Sequence, residues 1–282
     1  MAKEKEMTIP SEIGAGAHRR VTDLLSLRGR IALITGATGH LGSAMAQALA
    51  EAGARVIVSS RRLVDARDVA QQLPRTAECA AHLGVELDHM EVESLGDAFA
   101  SALSAANGRI DVLVNNGNAA LASDWRTVTG QDFTRHLGNA TGYFLLSRMM
   151  RDHVVRRGGT GSIILVGSMY GLVASYPDAY ADVASASPVA YHVLKGGIIQ
   201  MTRHLAVYWA NDHVRVNCLS PGPFPPPGRI PAVLVERLRT RSPMARMGHP
   251  DEMKGPVVFL ASDASSYVTG QNLVIDGGWT AW

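Results

Sequence analysis

The sequence predicts an α/β fold, in which a doubly wound parallel sheet of about seven strands carries helices on both faces. From Arg30 onward, short apolar runs alternate with longer amphipathic segments, which is the order that repeated β-α units produce. Most of the short runs are rich in Val, Ile and Leu without polar alternation, as expected for strands buried on both faces. The length of 282 residues and the hydrophobic fraction of 46% fit one domain with a substantial core.

The elements follow in order along the chain. Strands are predicted at 31–35, 55–60, 84–87, 111–115, 162–167, 214–220 and 272–276. Helices are predicted between them at 41–52, 62–73, 94–106, 131–150, 188–210 and 251–261. Two segments interrupt the alternation: residues 170–188, and residues 221–231, whose six prolines exclude regular helix or strand.

Composition and charge argue against several classes of function. The formal net charge of +2 gives no electrostatic case for nucleic acid, and no run approaches the ~20 apolar residues of a membrane span. Cys79 and Cys218 have no metal-ligand spacing and form no disulfide framework, which fits a reducing compartment. We therefore expect a cytoplasmic protein that acts on a small molecule, with one domain over residues 28–282. The polar and charged residues 1–27 lack the apolar core of a secretion signal and are expected to form a flexible arm.

A glycine-rich turn follows the first predicted strand directly. The stretch TGATGHLG, residues 35–42, ends the strand and opens the first helix. Glycines here let the backbone approach a pyrophosphate closely, while the helix dipole favours its negative charge. In the first β-α unit this pattern predicts a dinucleotide site. The expected contacts are Gly36, Thr38, Gly39, His40, Leu41 and Gly42.

The second strand indicates which dinucleotide is bound. A preference for NAD normally needs an acidic residue at its end, to accept from the ribose 2′-hydroxyl. Here Ser60, Arg61 and Arg62 occupy the position, which favours NADP(H), with NAD(H) as the alternative. The alternative is that Arg61, Arg62 and Arg67 form a solvated helix start. After the third strand, Asp88 and His89 are candidates for hydrogen bonds to adenine, although Asp88 alone would pass as an ordinary turn carboxylate.

Tyr191 and Lys195 lie four residues apart in a predicted helix, so both side chains face the same side. A lysine ammonium favours the phenolate and would lower the pKa of the tyrosine from about 10. The pair therefore predicts a proton donor that works near neutral pH. A surface lysine following a packed tyrosine is the alternative.

Taken in order, these motifs resemble the classical short-chain dehydrogenase/reductase family. The motifs that carry the resemblance are TGATGHLG, Asp88, VNNGN at 114–118, Asn139, Ser168, Tyr191 with Lys195, RVNCLSPG at 215–222 and TGQNLVIDGG at 269–278. The resemblance implies a Rossmann-type sheet, oxidoreductase activity on a small carbonyl or alcohol substrate, and a homodimer or homotetramer. It also implies cofactor contacts from Asn115, Gly117, Pro221, Gly222 and Phe224.

The resemblance assigns a role to four side chains. Tyr191 would be the general acid/base, and Lys195 would lower the Tyr191 pKa and hold the nicotinamide ribose. Ser168 would bind and polarise the substrate oxygen, and Asn139 would hold a water that relays protons to Lys195. Two residues have structural alternatives, since Ser168 could cap a turn and Asn115 could tie strands together.

The chain departs from the family pattern in four places, three of them within short motifs. Gly39 stands one place earlier than the usual middle glycine, where His40 now lies. The usual Asn-Asn-Ala-Gly after the fourth strand reads Asn-Asn-Gly-Asn, at 115–118. The prolines at 223–227 replace a threonine that normally seats the carboxamide, so contacts there must be mostly backbone.

The spacing before Tyr191 is the largest departure, because 23 residues separate it from Ser168 and the family's usual gap is shorter. Tyr180 is rejected as the base because Ala184 follows it at four residues. We interpret residues 170–188 as an insertion beside the substrate. Its members Tyr176, Asp178, Tyr180 and Asp182 suit a hydroxylated substrate such as a polyol or sugar, and an oligomer contact is the alternative.

The sequence thus predicts an NADP(H)-dependent carbonyl reductase or alcohol dehydrogenase. Two alternatives stay open: a 3-oxoacyl-thioester reductase, and a cofactor-binding regulator that has lost turnover. Trp279 and Trp282 are expensive to leave in water, so either a subunit contact or the chain itself is expected to bury them.

Overall fold

A computed structural model describes residues 18–76, 79–121, 123–185 and 187–281. At its centre lies a seven-stranded parallel sheet in the order β3-β2-β1-β4-β5-β6-β7, a Rossmann-type arrangement. The strands are β1 (Ile31–Ile34), β2 (Arg55–Ser60), β3 (Leu83–Glu86), β4 (Val112–Asn115), β5 (Gly161–Val166), β6 (Val214–Pro221) and β7 (Asn272–Ile275). The predicted fold class is confirmed, and each predicted strand is present with ends that agree to within one residue.

The helices connect the strands. They are α1 (Val21–Leu24), α2 (His40–Glu51), α3 (Leu63–Gln72), α4 (Leu95–Ala105), α5 (Gly130–Arg156), α6 (Pro177–Tyr180), α7 (Val189–Trp209), α8 (Ala232–Arg239) and α9 (Lys254–Ala261). Helix α5 runs six residues past its predicted end because Val154 is still buried in the core. The last predicted helix is divided, since a 3-10 turn at Pro250–Met253 precedes α9.

Helices cover both faces of the sheet. Side chains of α2, α3 and α9 pack on one face, and those of α4, α5 and α7 on the other. Successive β1 residues alternate between the two cores, with Ile34 in the first and Leu33 in the second. Because the order reverses between β1 and β4, a crevice opens at their carboxyl ends, where ligands bind in such sheets.

The expected flexible arm falls partly outside the described residues, which begin at 18. Residues 18–23 are exposed, but Arg19 forms an ion pair with Asp263 at 2.9 Å, and Leu27 is fully buried. The packed domain therefore starts before residue 28. Within the described ranges, no helix combines the length and apolar character that crossing a bilayer requires.

The 170–188 segment is held to helix α8. The Arg237 guanidinium donates to the carbonyls of Asp178, Ala179 and Ala181, and Arg241 pairs with the Asp178 carboxylate. These contacts fix α6 to the body of the domain. The 170–188 segment is therefore packed against its own subunit, whether or not a second subunit also contacts it.

Trp279 packs within its own chain. It is 2% exposed, and its ring lies 5.5 Å from the ring of Tyr176, measured between centroids. A subunit contact is therefore not needed to bury Trp279. Trp282 lies outside the described residues.

Candidate active site

A cleft of about 970 Å³ opens at the carboxyl ends of the central strands. It is within the range of volumes that small-molecule and cofactor sites occupy. The predicted cofactor residues that line it are Gly36, Thr38, Gly39, His40, Leu41, Gly42, Ser60, Arg61, Arg62, Asp88, His89, Gly117, Tyr191, Lys195 and Pro221. The fold thus brings most of the residues singled out from the sequence to one place.

The glycine turn is built by close backbone approaches. Gly36 has φ +61°, and a Cβ there would lie 2.8 Å from Gly117 Cα. A Cβ at Gly42 would lie 2.3 Å from the carbonyl oxygen of Gly36. Side chains are thus excluded where the N-terminus of α2 meets the cleft, which leaves backbone N–H groups for an anion. This cradle fits the pyrophosphate of a dinucleotide.

Two residues that the sequence did not single out hold the floor of the cleft. Thr35 Oγ1 accepts hydrogen bonds from the N–H groups of Asn116 and Gly117, both at 2.9 Å. Asn116 Nδ2 donates back to the carbonyls of Thr35 and Gly36. These bonds fasten the end of β1 to the end of β4. In the sequence, the Asn-Asn pair after the fourth strand could have indicated this role for Asn116, but a cofactor contact was predicted only for Asn115.

Asn115 has the structural role given above as the alternative. It is fully buried, and its Nδ2 donates to the carbonyl of Tyr143 and to Ser147 Oγ. It therefore ties β4 to α5 below the cleft instead of lining it.

Gly222 and Phe224 also lie apart from the cleft wall. A Cβ at Gly222 would lie 2.6 Å from Asp276 Cα, so the glycine serves the close approach of two chain segments. The ring of Phe224 packs on Gly248 and lines a separate cavity of about 300 Å³. The proline-rich turn thus directs the Phe224 side chain to this separate cavity, and its contact with a cofactor stays a prediction.

The two arginines after β2 have different surroundings. Arg62 forms a two-pronged ion pair with Asp65, one helical turn away. Arg61 is exposed at the cleft and makes no ion pair with any residue the structure describes. Of these two arginines, Arg61 is therefore the one whose charge no described residue neutralises.

Lys195 is 3% exposed and donates to the carbonyl of Val166 at 2.8 Å. Burial lowers its pKa from 10.5 to about 8. An ammonium has three donors, and the described residues accept from one of them. The remaining donors fit the hydroxyls of a ribose in the adjoining cleft.

The pKa of Tyr191 is opposite in direction to the prediction. Burial raises this pKa above 10, while the Ser168 hydroxyl acts in the lowering direction. The Lys195 amine lies 5.5 Å from the Tyr191 ring centroid. At this separation the amine does not reverse the effect of burial on the Tyr191 pKa.

Ser168 follows β5 and is 5% exposed. Its Oγ accepts a hydrogen bond from the Tyr170 N–H at 3.1 Å and so caps a 3-10 turn. The capping bond uses a lone pair of Oγ and leaves its O–H free to donate. Ser168 thus caps a turn, and its hydroxyl also acts on Tyr191, while its role toward a substrate stays a prediction.

Asn139 is held by several hydrogen bonds. Its Oδ1 accepts from the Ala119 N–H at 2.7 Å and contacts His89 Nε2 at 2.8 Å. Its Nδ2 donates to the His136 carbonyl at 2.7 Å. His89, expected at the adenine, therefore directs one ring nitrogen to α5, although the residue also lines the cleft.

His136 was missed by the sequence reasoning. It is 3% exposed, and neither ring nitrogen has a hydrogen-bond partner among the described residues. Its ring centroid lies 6.1 Å from that of Tyr191. The signal was a histidine one turn before Asn139, but only the fold shows that this turn faces Tyr191.

Two further phenol groups, from the 170–188 segment, pack near Tyr191. The hydroxyls of Tyr170 and Tyr180 share a hydrogen bond at 2.8 Å. Tyr180 and Tyr191 belong to one packed cluster, which also includes Trp279. The 170–188 segment thus contributes polar groups beside Tyr191.

Comparisons with known proteins agree with this geometry. A family model described as enoyl-(acyl carrier protein) reductase matches residues 36–280. The D-threitol dehydrogenase of Mycolicibacterium smegmatis is 33% identical over 267 residues, which cover 90% of this chain and 94% of that protein.

Two solved structures are similar over nearly their whole length. The gluconate 5-dehydrogenase of Burkholderia cenocepacia, in complex with NADP and tartrate, is 30% identical with a TM-score of 0.80, covering 93% of this chain and 100% of that one. A short chain dehydrogenase of Leptospira borgpetersenii with bound NAD+ is 29% identical with a TM-score of 0.80, covering 95% and 99%.

Proposed function

Because the chain belongs to the classical short-chain dehydrogenase/reductase family, and is an oxidoreductase acting between alcohols and ketones, we propose that its cofactor is NADP(H) and its substrate a polyol or sugar-derived ketone. One observation carries the proposal. Tyr191 and Lys195 line the same cleft as the glycine cradle. A hydrogen bond from Ser168 acts to lower the pKa of Tyr191. A proton donor therefore lies where a nicotinamide ring would end.

The residues divide the chemistry between them. A bound nicotinamide cofactor supplies the hydride. Ser168 and Tyr191 donate hydrogen bonds to the substrate oxygen, which stabilises the negative charge that develops there. Tyr191 then gives its proton to that oxygen, and in the oxidative direction accepts it. The raised Tyr191 pKa keeps the phenol protonated and ready to donate.

Lys195 and Asn139 support the proton transfer. The free donors of Lys195 bind the ribose hydroxyls and hold them beside Tyr191. Asn139 sits on α5 with its side chain held by His89, Ala119 and His136, at the place where a water would relay protons from Lys195 to solvent. These residues restore the proton that Tyr191 loses.

The NADP preference rests on Arg61. A 2′-phosphate needs a cation and hydroxyl donors, and an exposed arginine beside Ser60 supplies both. An acidic residue that would reject the phosphate is absent from 60–62. Both kinds of cofactor occur among the similar structures, so this preference comes from the residues of this chain.

The proposed polyol class rests on residues 170–188, the segment called here the substrate wall. Tyr170 and Tyr180 offer hydroxyl groups that both donate and accept, which suits a substrate with several hydroxyls. The names of the similar proteins point the same way, toward D-threitol and toward gluconate with bound tartrate. An acyl thioester is the second candidate, and the description of the family model favours it.

A single series of assays tests the proposal. The purified protein is titrated with NADPH and NADH, then assayed against polyols, ketoses, simple secondary alcohols and a 3-oxoacyl thioester. We expect tighter binding of NADPH and the highest kcat/KM with a polyol or ketose. If the enzyme prefers the 3-oxoacyl thioester, the proposed polyol class is wrong and an acyl thioester takes its place. Binding without turnover of any substrate would favour the regulator.

We also propose that the protein works in the cytoplasm as a homodimer or homotetramer. Both cysteines are free thiols, which fits a reducing compartment. Helix α7 exposes Val193, Val207 and Tyr208, apolar surface that a second subunit would cover. Light scattering coupled to gel filtration measures the assembly, and a monomer would contradict it.

A further inference from the structure

The orientation of the Asn139 amide is fixed by the backbone around it. The Ala119 N–H requires an acceptor at 2.7 Å, so the atom facing it is Oδ1. The His136 carbonyl requires a donor at 2.7 Å, so the atom facing it is Nδ2. The amide therefore cannot be flipped without losing both bonds.

This orientation fixes the protonation of His89. Its Nε2 lies 2.8 Å from Asn139 Oδ1, which only accepts, so Nε2 must carry a hydrogen. His89 is 7% exposed, and burial lowers its pKa below 6.5, so the ring is neutral near pH 7. A neutral ring with hydrogen on Nε2 has a lone pair on Nδ1.

Two glycines leave room for the ring and the backbone of His89. A Cβ at Gly117 would lie 2.8 Å from Nδ1 of His89. A Cβ at Gly142 would lie 2.0 Å from the carbonyl oxygen of His89. Gly117 stands where the family pattern has alanine, so this departure and His89 form a matched pair.

We propose that His89 is a positioning residue for the proton relay, which locks Asn139 through the bond from Nε2–H to Oδ1. His89 lies in the cleft wall, and Asn139 lies on α5 next to the turn that faces Tyr191. The hydrogen bond between His89 and Asn139 therefore couples the wall of the cofactor cleft to α5, the helix that carries Asn139 of the proton relay. This inference rests on the proposed function, because Asn139 has its relay role only there.

Two variants of the full-length chain separate the bond from mere packing. H89Q keeps an N–H donor at the ε position, whereas H89L keeps the volume without a donor. We expect H89L to lower kcat by about tenfold, the effect of one lost buried hydrogen bond, with an altered pH profile of kcat. H89Q should recover most of the loss. Because His89 also lines the cofactor cleft, kcat is measured at saturating cofactor, and cofactor Kd and the thermal midpoint are measured for both variants.

A readout that needs no turnover tests the same bond. Nitrogen-15 NMR of histidine-labelled wild-type protein, with H89Q to assign the signal, should show hydrogen on Nε2 and none on Nδ1 at pH 7. Hydrogen on Nδ1 would overturn the proposal. Equal losses in H89L and H89Q, or an unchanged pH profile in H89L, would overturn it as well. If no substrate is turned over, the proposed function fails, while the NMR result still decides the bond.

Discussion

Lys195 donates its hydrogen bond to the carbonyl of Val166 at 2.8 Å, and its amine lies 5.5 Å from the ring centroid of Tyr191. The ammonium is thus anchored to the end of β5 and buried, with its pKa lowered to about 8. Its protonation should therefore affect cofactor binding in an accessible pH range.

We predict that NADPH affinity falls as pH rises through about 8. Below this pKa Lys195 is charged and donates to the ribose, whereas above it binding must first restore the proton. Kd should then rise by up to about tenfold per pH unit. Fluorescence titration from pH 6.5 to 9.5 measures the slope. Lys195→Met should remove the dependence, and Lys254→Met is the matched control. A flat Kd in the wild type would contradict the prediction.

Tyr191→Phe should lower kcat by about 10³-fold, because the substrate oxygen loses its proton donor. NADPH affinity should stay close to that of the wild type. Steady-state kinetics and fluorescence titration provide the two measurements. Tyr208→Phe, an exposed tyrosine on the same helix, is the control and should keep full activity. Appreciable turnover by the Tyr191 variant would remove its assigned role.

Arg61→Ala should weaken NADPH by about tenfold and leave NADH nearly unchanged, since only NADPH carries the 2′-phosphate. Arg62→Ala is a matched control, because Asp65 already neutralises that side chain. Titration of each variant with both cofactors gives the comparison. Equal losses for NADPH and NADH would show that Arg61 does not contact the phosphate.

Arg237→Ala should raise the KM for polyols by about fivefold, because three carbonyls of the 178–181 segment lose their donor. NADPH Kd should not change, since the segment is outside the cofactor cleft. Arg239→Ala is the control on the same helix, where the side chain pairs with exposed Glu236. An increase in KM for simple alcohols but not for polyols would argue against the substrate wall.

Stability should fall as the pH drops below about 6.5. Five histidines have their pKa lowered by burial, namely His82, His89, His136, His153 and His192. Each stays neutral in the folded chain and takes up a proton on unfolding, so its contribution is present above 6.5 and is lost below. Each adds up to about 1.4 kcal/mol per pH unit to the slope.

Urea unfolding between pH 5 and 7.5 measures this slope. His136→Leu should make it shallower, because the ring of His136 has no hydrogen-bond partner among the described residues and its removal leaves no group unpaired. His213→Asn is an exposed control, in a left-handed turn that asparagine tolerates. Stability that does not change over this range would contradict the assignment.

The sheet could be predicted closely because strands buried on both faces must be rich in Val, Ile and Leu. Helices α6 and α8 escaped prediction because they are short, at four and eight residues, and because α6 begins with a proline and α8 follows one. The cofactor cradle followed from local glycines. The pairing of Arg62 with Asp65 was also readable, since the two residues lie three apart on a helix.

Other properties of the site depend on residues far apart in the chain. The pKa of Tyr191 depends on how completely the fold buries it, which its neighbours in sequence do not reveal. The same holds for His89, whose partner Asn139 lies 50 residues away. Phe224 was assigned by position alone, and the turn that carries it points elsewhere.

The packing of Trp279 on Tyr176 makes the substrate side of the site depend on residues late in the chain. All residues that line the cofactor cleft lie at or before Pro221, whereas the substrate wall takes its support from Arg237, Arg241 and Trp279. Helix α9 also follows Pro221, and its buried side chains pack in one core with those of α2, which opens at the glycine cradle. The part of the chain after residue 221 therefore supports both ends of the site while lining none of the cofactor cleft.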